Sequence, residues 1–112
     1  DILMHGYMNS EALIKSIESK EAHYWSRSRQ KLWKKGEISG LKQAIVKILV
    51  DDDQDCIIFR VNVAGLGASC HVGYKSCFYR VLEDKNNLKF IETEKLFDPE
   101  EVYEGEDNPT IL

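Results

Sequence analysis

Between Asp51 and Cys77 the chain gathers the residue types that hold metals. Asp51, Asp52, Asp53 and Asp55 place four carboxylates in five positions, and Cys70, His71 and Cys77 follow. Carboxylate oxygens suit hard cations such as Mg²⁺ or Ca²⁺, whereas thiolate and imidazole favour Zn²⁺. One stretch therefore offers ligands for two different metals. Asp51, Asp53 and Asp55 alternate, so in extended backbone their carboxylates share one side. An EF-hand loop is excluded, because Cys56 and Asn62 stand where it needs Gly and Glu. The competing reading is a plain acidic hairpin tip, since acids favour turns.

Six residues separate Cys70 from Cys77, a wider gap than the C-x₂₋₄-C of zinc fingers and ribbons. Two thiolates plus one further protein ligand would leave a fourth zinc position open for water, the catalytic arrangement. The third ligand must come from outside this pair. Asp52, Cys56 and His71 are the nearer candidates, with His23 and His5 further off. The H-x-E with P-C-x-x-C signature of zinc deaminases is absent.

The surrounding chain fits a soluble fold. Its 112 residues suit one domain with a real core, and 43% hydrophobic with 30% charged residues is ordinary for a globular protein. No apolar run approaches the ~18–20 residues of a membrane span. Three cysteines are an odd number without a disulfide-scaffold spacing, which points to a reducing compartment, the cytoplasm. The chain starts at Asp1 without a Met, which leaves room for an N-terminal piece.

The net charge of −4 hides an asymmetry. From Arg27 to Lys47 there are seven basic residues against the single acid Glu37, and from Glu92 to Asp107 there are eight acids against Lys95. A basic segment inside an acidic protein suits a local anion such as a phosphate better than a nucleic-acid track. A solvated basic loop is the alternative.

These residues need elements to position them. Ile2 to Met4 reads as the end of an opening strand. Asn9 is an N-cap for a helix over Ser10 to about Ser19, with Met8 and Leu13 as a hydrophobic staple. Ala12, Leu13 and Ile17 form its inner face, while Lys15, Ser16 and Glu18 face water. Alternation from Ala22 to Arg27 predicts a strand, and SRSRQKLWKKGEISG, from Ser26 to Gly40, predicts an ordered loop or a pair of turns in which Trp33 is a packing anchor, the commoner role, or a stacking surface. Gln43 to Val50 and Cys56 to Val63 predict two strands joined by the acidic run. Ala44, Val46, Ile48 and Val50 share one face of the first. Lys75 to Leu82 predicts a third β run, and Asn86-Asn87 a turn into Leu88 to Ile91. Asp98-Pro99 opens a short helix over Glu100 to Tyr103. The expectation is a single α+β domain over residues 1–112, with a mainly antiparallel or mixed sheet and short flanking helices.

Four segments carry a family resemblance: YMNSEAL (Tyr7 to Leu13), HYWSRSRQKLWKKGEISG (His23 to Gly40), DDDQD (Asp51 to Asp55) and CHVGYKSCF (Cys70 to Phe78). In order and spacing they resemble the phosphoribosyl-AMP cyclohydrolases, the histidine-biosynthesis enzymes that open an adenine ring. The resemblance covers residues 1 to about 80 and implies a cytoplasmic homodimer using Zn²⁺ and Mg²⁺, with active sites where two chains meet. It implies a small nucleotide substrate, neither nucleic acid nor membrane, and hydrolysis of the N1–C6 bond of N1-(5-phosphoribosyl)-AMP. Position by position, it makes Cys70 and Cys77 zinc ligands, Asp51, Asp53 and Asp55 magnesium ligands, and His71 a general base or proton shuttle. It brings Arg27, Ser28, Arg29 and Lys35 to the nucleotide phosphates.

One position departs from the family pattern. The usual run is Asp-Cys-Asp-x-Asp, with the Cys as third zinc ligand, and here Asp52 occupies that place. Either Asp52 supplies an oxygen, giving a Cys₂Asp site, or Cys56 substitutes through a local shift, or the zinc site is weakened or lost. Asp is a legitimate zinc ligand, which favours Asp52. Two other readings stand beside the cyclohydrolase: a different metal-dependent purine-nucleotide hydrolase, and a non-catalytic zinc-stabilised nucleotide-binding module.

Overall fold

A computed structural model describes residues 1–65, 67–92 and 94–99. The elements run α1 (Ser10–Ser19), β1 (His23–Ser26), β2 (Lys31–Lys34), β3 (Gln43–Val50), β4 (Ile57–Val63), β5 (Arg80–Asp84) and β6 (Asn87–Phe90). Strands pair as three antiparallel ribbons, β1–β2, β3–β4 and β5–β6. This is the expected α+β class with antiparallel pairing. The chain forms two compact units, one of Gly6–Ala64 and one that joins Asp1–His5 to the described residues from Gly65 onward. The helix expected over Glu100 to Tyr103 lies outside the described residues.

In the Gly6–Ala64 unit, α1 starts where its cap dictates: Asn9 Oδ1 accepts from Ala12 N–H at 2.9 Å, a bond of about 1 kcal/mol. Its inner face differs from the expected one. Ala12 and Ser16 are buried, and Ile17 is 55% exposed. Ser16 earns its place by hydrogen bonding, donating from Oγ to Ala12 O at 2.8 Å and accepting from His23 N–H at 2.9 Å. It thereby fixes the end of the helix to the start of β1.

The segment expected as a loop after Ser26 instead turns over Arg27–Gln30 and returns as β2, with Tyr24 opposite Trp33 and Ser26 opposite Lys31. Tyr24 is the centre of this unit: it packs on Trp33 at 5.0 Å and near Phe59 at 6.3 Å, and its hydroxyl donates to Gln43 Oε1 at 2.6 Å. Trp33 is the anchor that was expected. At the far end of the ribbon, the Lys34 ammonium bonds to Glu21, which holds that carboxyl below its usual range and Lys34 above its own.

In the β3–β4 hairpin, β3 has the predicted ends and β4 begins one residue later than expected, at Ile57. A bulge between Ile45 and Lys47 breaks the predicted single face of β3, leaving Val46 and Val50 exposed while Ile48 is half-buried. One extra residue puts Ile48 on the inner side with Ile45. Residues 1–8 hold no strand, only a bridge of Tyr7 to Trp25, and the third β run begins at Arg80 rather than Lys75. In the β5–β6 turn, Asp84 accepts from Asn86 N–H at 2.9 Å and Asn87 Nδ2 at 2.8 Å, and these donors hold its carboxyl below the usual range.

Candidate metal and nucleotide site

The acidic tip is made by the hairpin that carries it. Val50 and Ile57 are the last pair of the ladder. Beyond them Asp51 N–H donates to Cys56 O at 2.9 Å, and Gln54 N–H donates to Asp51 O at 3.0 Å. Gln54 then takes a left-handed φ of 62°, which turns the chain back. The ligand oxygens of Asp51, Asp53 and Asp55 lie within 4.8 Å of one another, all exposed. The expected convergence is present, but its cause is this turn rather than extended alternation. Asp52 lies outside that trio, and Cys56 is exposed. Like charges held this close favour a divalent cation between them, and carboxylate oxygens suit Mg²⁺.

The thiol-bearing loop is built differently. Cys70 is buried in a cluster with Val72, Tyr74 and Tyr79, and the half-buried Cys77 packs against it. Neither thiol is in a disulfide. Tyr74 and Tyr79 stack at 4.1 Å and 17°, with Phe90 of β6 against both, at 5.9 and 5.5 Å. Burial pushes the Tyr79 phenol up, the neighbouring Cys70, Tyr74 and Cys77 add to this, and Arg80 opposes it. Within the loop, Ser69 N–H donates to Lys75 O, Cys70 N–H to Tyr74 O, and Gly73 N–H to Cys70 O. Gly73 needs its missing side chain, because its φ is 110° and a Cβ would run into the carbonyl of Phe97.

Distant residues fasten this loop. Cys77 N–H donates to Leu3 O at 2.7 Å, and Ser76 Oγ donates to Ile2 O at 2.7 Å. Glu92 accepts from two successive backbone N–H groups, Lys75 at 3.0 Å and Ser76 at 3.3 Å. Neither Ser76 nor Glu92 was singled out from sequence. A Ser beside a Cys carries a weak local signal, and a carboxylate acting across sixteen positions carries none. Among the described residues, the aspartate trio is the one group of three or more metal-ligating side chains brought together. Cys70, His71 and Cys77 alone do not make a second one.

The basic hairpin turn groups three of the four expected phosphate contacts. Arg27, Ser28 and Arg29 are exposed there. Arg29 N–H donates to Ser26 Oγ at 3.2 Å, and Gln30 Nε2 donates to Arg27 O at 2.7 Å. The Arg27 guanidinium sits over the Tyr7 ring at 3.6 Å. A guanidinium held over a ring still offers the donors in its own plane. Lys35 is not among this group: it follows β2 at the opposite end of the ribbon and is 1% exposed.

Comparison with known proteins decides what this collection belongs to. The family model for phosphoribosyl-AMP cyclohydrolase matches residues 4–79. The chain belongs to the phosphoribosyl-AMP cyclohydrolase family. It is 52% identical over 103 residues to the phosphoribosyl-AMP cyclohydrolase of Methanococcoides burtonii, covering 92% of this chain and 79% of that protein. The corresponding proteins of Methanosarcina mazei and Rhodopseudomonas palustris are each 50% identical, over 92% of this chain and 80% and 72% of theirs. The resemblance carried by the four motifs is thereby established. With the family come an enzyme, a hydrolase acting on a cyclic C–N bond in histidine biosynthesis, and a small nucleotide as substrate. No helix among the described residues is long and apolar enough to cross a membrane.

Proposed function

We propose that this chain hydrolyses the N1–C6 bond of the adenine ring of N1-(5-phosphoribosyl)-AMP, as a cytoplasmic homodimer with its active sites at the interface. The observation that carries the reading is the convergence of Asp51, Asp53 and Asp55 within 4.8 Å, in a chain that matches the family over residues 4–79. The trio fits Mg²⁺ by its oxygen donors. Zinc fits Cys70 and Cys77, both thiols outside any disulfide and packed in one cluster. Asp52 is the preferred third ligand and Cys56 its competitor. Exposed Val46, Val50 and Ile58 on the β3–β4 ribbon offer apolar surface for the second copy.

When bound, zinc supplies a nucleophilic water near neutral pH, its pKa drawn toward ~7. Water oxygen ends on C6, the C6–N1 bond breaks, and N1 leaves with a proton. His71 moves that proton, since imidazole is the side chain whose ordinary pKa lies closest to neutrality. Arg27, Ser28 and Arg29 bind phosphate, the guanidinium groups through two-point contacts. Lys35, buried at the other end of the ribbon, is left out of this contact.

The test is formation of the formimino carboxamide ribonucleotide from phosphoribosyl-AMP by purified protein supplied with Zn²⁺ and Mg²⁺. Product is expected, lost on chelation and regained with zinc. Folded, metal-loaded protein that yields no product would contradict the proposal and leave a nucleotide-binding module.

A further inference from the structure

The family model's match ends at residue 79, and residues beyond it reach back to the thiol loop. The β5–β6 ribbon brings Phe90 against the Tyr74–Tyr79 stack. The backbone then closes on the same place, with Ile91 N–H donating to Tyr79 O at 2.9 Å. The next residue is Glu92. Its two oxygens divide between successive peptides, Oε1 accepting from Lys75 N–H at 3.0 Å and Oε2 from Ser76 N–H at 3.3 Å. Ser76 is buried, and its own hydroxyl is committed to Ile2 O at 2.7 Å while accepting from Phe78 N–H at 2.9 Å. The two peptides before Cys77 are thus held by a carboxylate, the Cys77 N–H by Leu3 O, and the peptide after it by a hydroxyl.

The geometry points to Glu92 as a positioning residue for Cys77, fixing the peptides that lead into this thiol so that it is presented to zinc in one orientation. The inference rests on the proposed zinc role of Cys77. Glu92 touches neither metal nor substrate; it acts through the loop backbone. A carboxylate can accept from both N–H groups at once, each of its oxygens serving one donor. Glutamine can accept through its carbonyl only, and its NH₂ would face the second donor. Alanine removes both acceptors. Outer contacts that orient a metal ligand commonly change metal affinity by about 10–100-fold when lost.

The experiment is zinc competition against a chromophoric chelator on the full chain, with Glu92→Ala, Glu92→Gln and Cys77→Ser beside the unsubstituted protein. Cobalt-loaded samples report the thiolate-to-metal charge-transfer band. Glu92→Ala is expected to bind zinc about 10–100-fold more weakly, with a displaced cobalt band. Glu92→Gln should fall between it and the parent, and kcat should drop more than KM rises. If Glu92→Ala does not fold, Glu92→Gln carries the test alone. Parent zinc affinity and an unchanged cobalt band in the folded Glu92 variants, with zinc lost in Cys77→Ser, would overturn the inference only. Zinc retained in Cys77→Ser would overturn the zinc assignment beneath it.

Discussion

The acidic tip and the thiol loop offer ligands of opposite kinds and are held in place by opposite means. At the tip, the fastenings are local: Asp51 to Cys56, Gln54 to Asp51, and the ladder just below. In the loop, the decisive bonds come from Ile2, Leu3 and Glu92, far away in sequence. The tip is also exposed, whereas Cys70 lies in an aromatic cluster. Hard, hydrated cations tolerate an open cradle and keep waters. A thiolate site gains from a drier, more rigid surround that orients its ligands.

The contrast can be broken most severely at the thiols. Cys70→Ala should abolish nearly all turnover and strip zinc, because the remaining thiol leaves too few ligands; a normal rate with full zinc would erase the loop's role. Next comes the position that departs from the family. If the tip lends Asp52 to the zinc site, Asp52→Asn should lose zinc on dialysis against a chelator, while Cys56→Ser keeps it and Asp52→Cys holds it at least as tightly. The reverse order would make Cys56 the ligand. Gly73→Ala should destabilise the protein by roughly 2–4 kcal/mol in denaturant melts, from a strained φ and a blocked Cβ. A loss near zero would mean that the loop is less constrained than its contacts imply. Smallest is Gln54→Gly at the tip, which should stabilise by about 1 kcal/mol by relieving a left-handed residue, with magnesium affinity unchanged. Destabilisation there would show that the Gln54 side chain supports the turn.

The same contrast explains what could be read from sequence. Asn9, the helix it caps and the ends of the β3–β4 hairpin follow from local patterns, and each stands within one residue of where the pattern puts it. Ser16 was misread because a polar residue at helical spacing suggests water, yet its hydroxyl answers the backbone N–H of His23. The β2 strand was missed because KLWK is short and charged, and its turn uses Gln30 at a φ of 51° where Gly or Asn would have announced it. Lys75 to Tyr79 has strand-forming residues, but their peptides go to Ser69, Glu92 and Leu3 instead of a neighbouring strand. The four motifs named the family; what holds the thiol loop lay beyond any local pattern.

Metal content is the most direct measure of the claim that these are two separate centres. Elemental analysis of Cys77→Ala and Asp53→Ala, each equilibrated with Zn²⁺ and Mg²⁺ and then desalted, reads both at once. The account predicts that Cys77→Ala loses zinc and keeps magnesium, and that Asp53→Ala loses magnesium and keeps zinc. Zinc lost from both, or magnesium lost from Cys77→Ala, would contradict it.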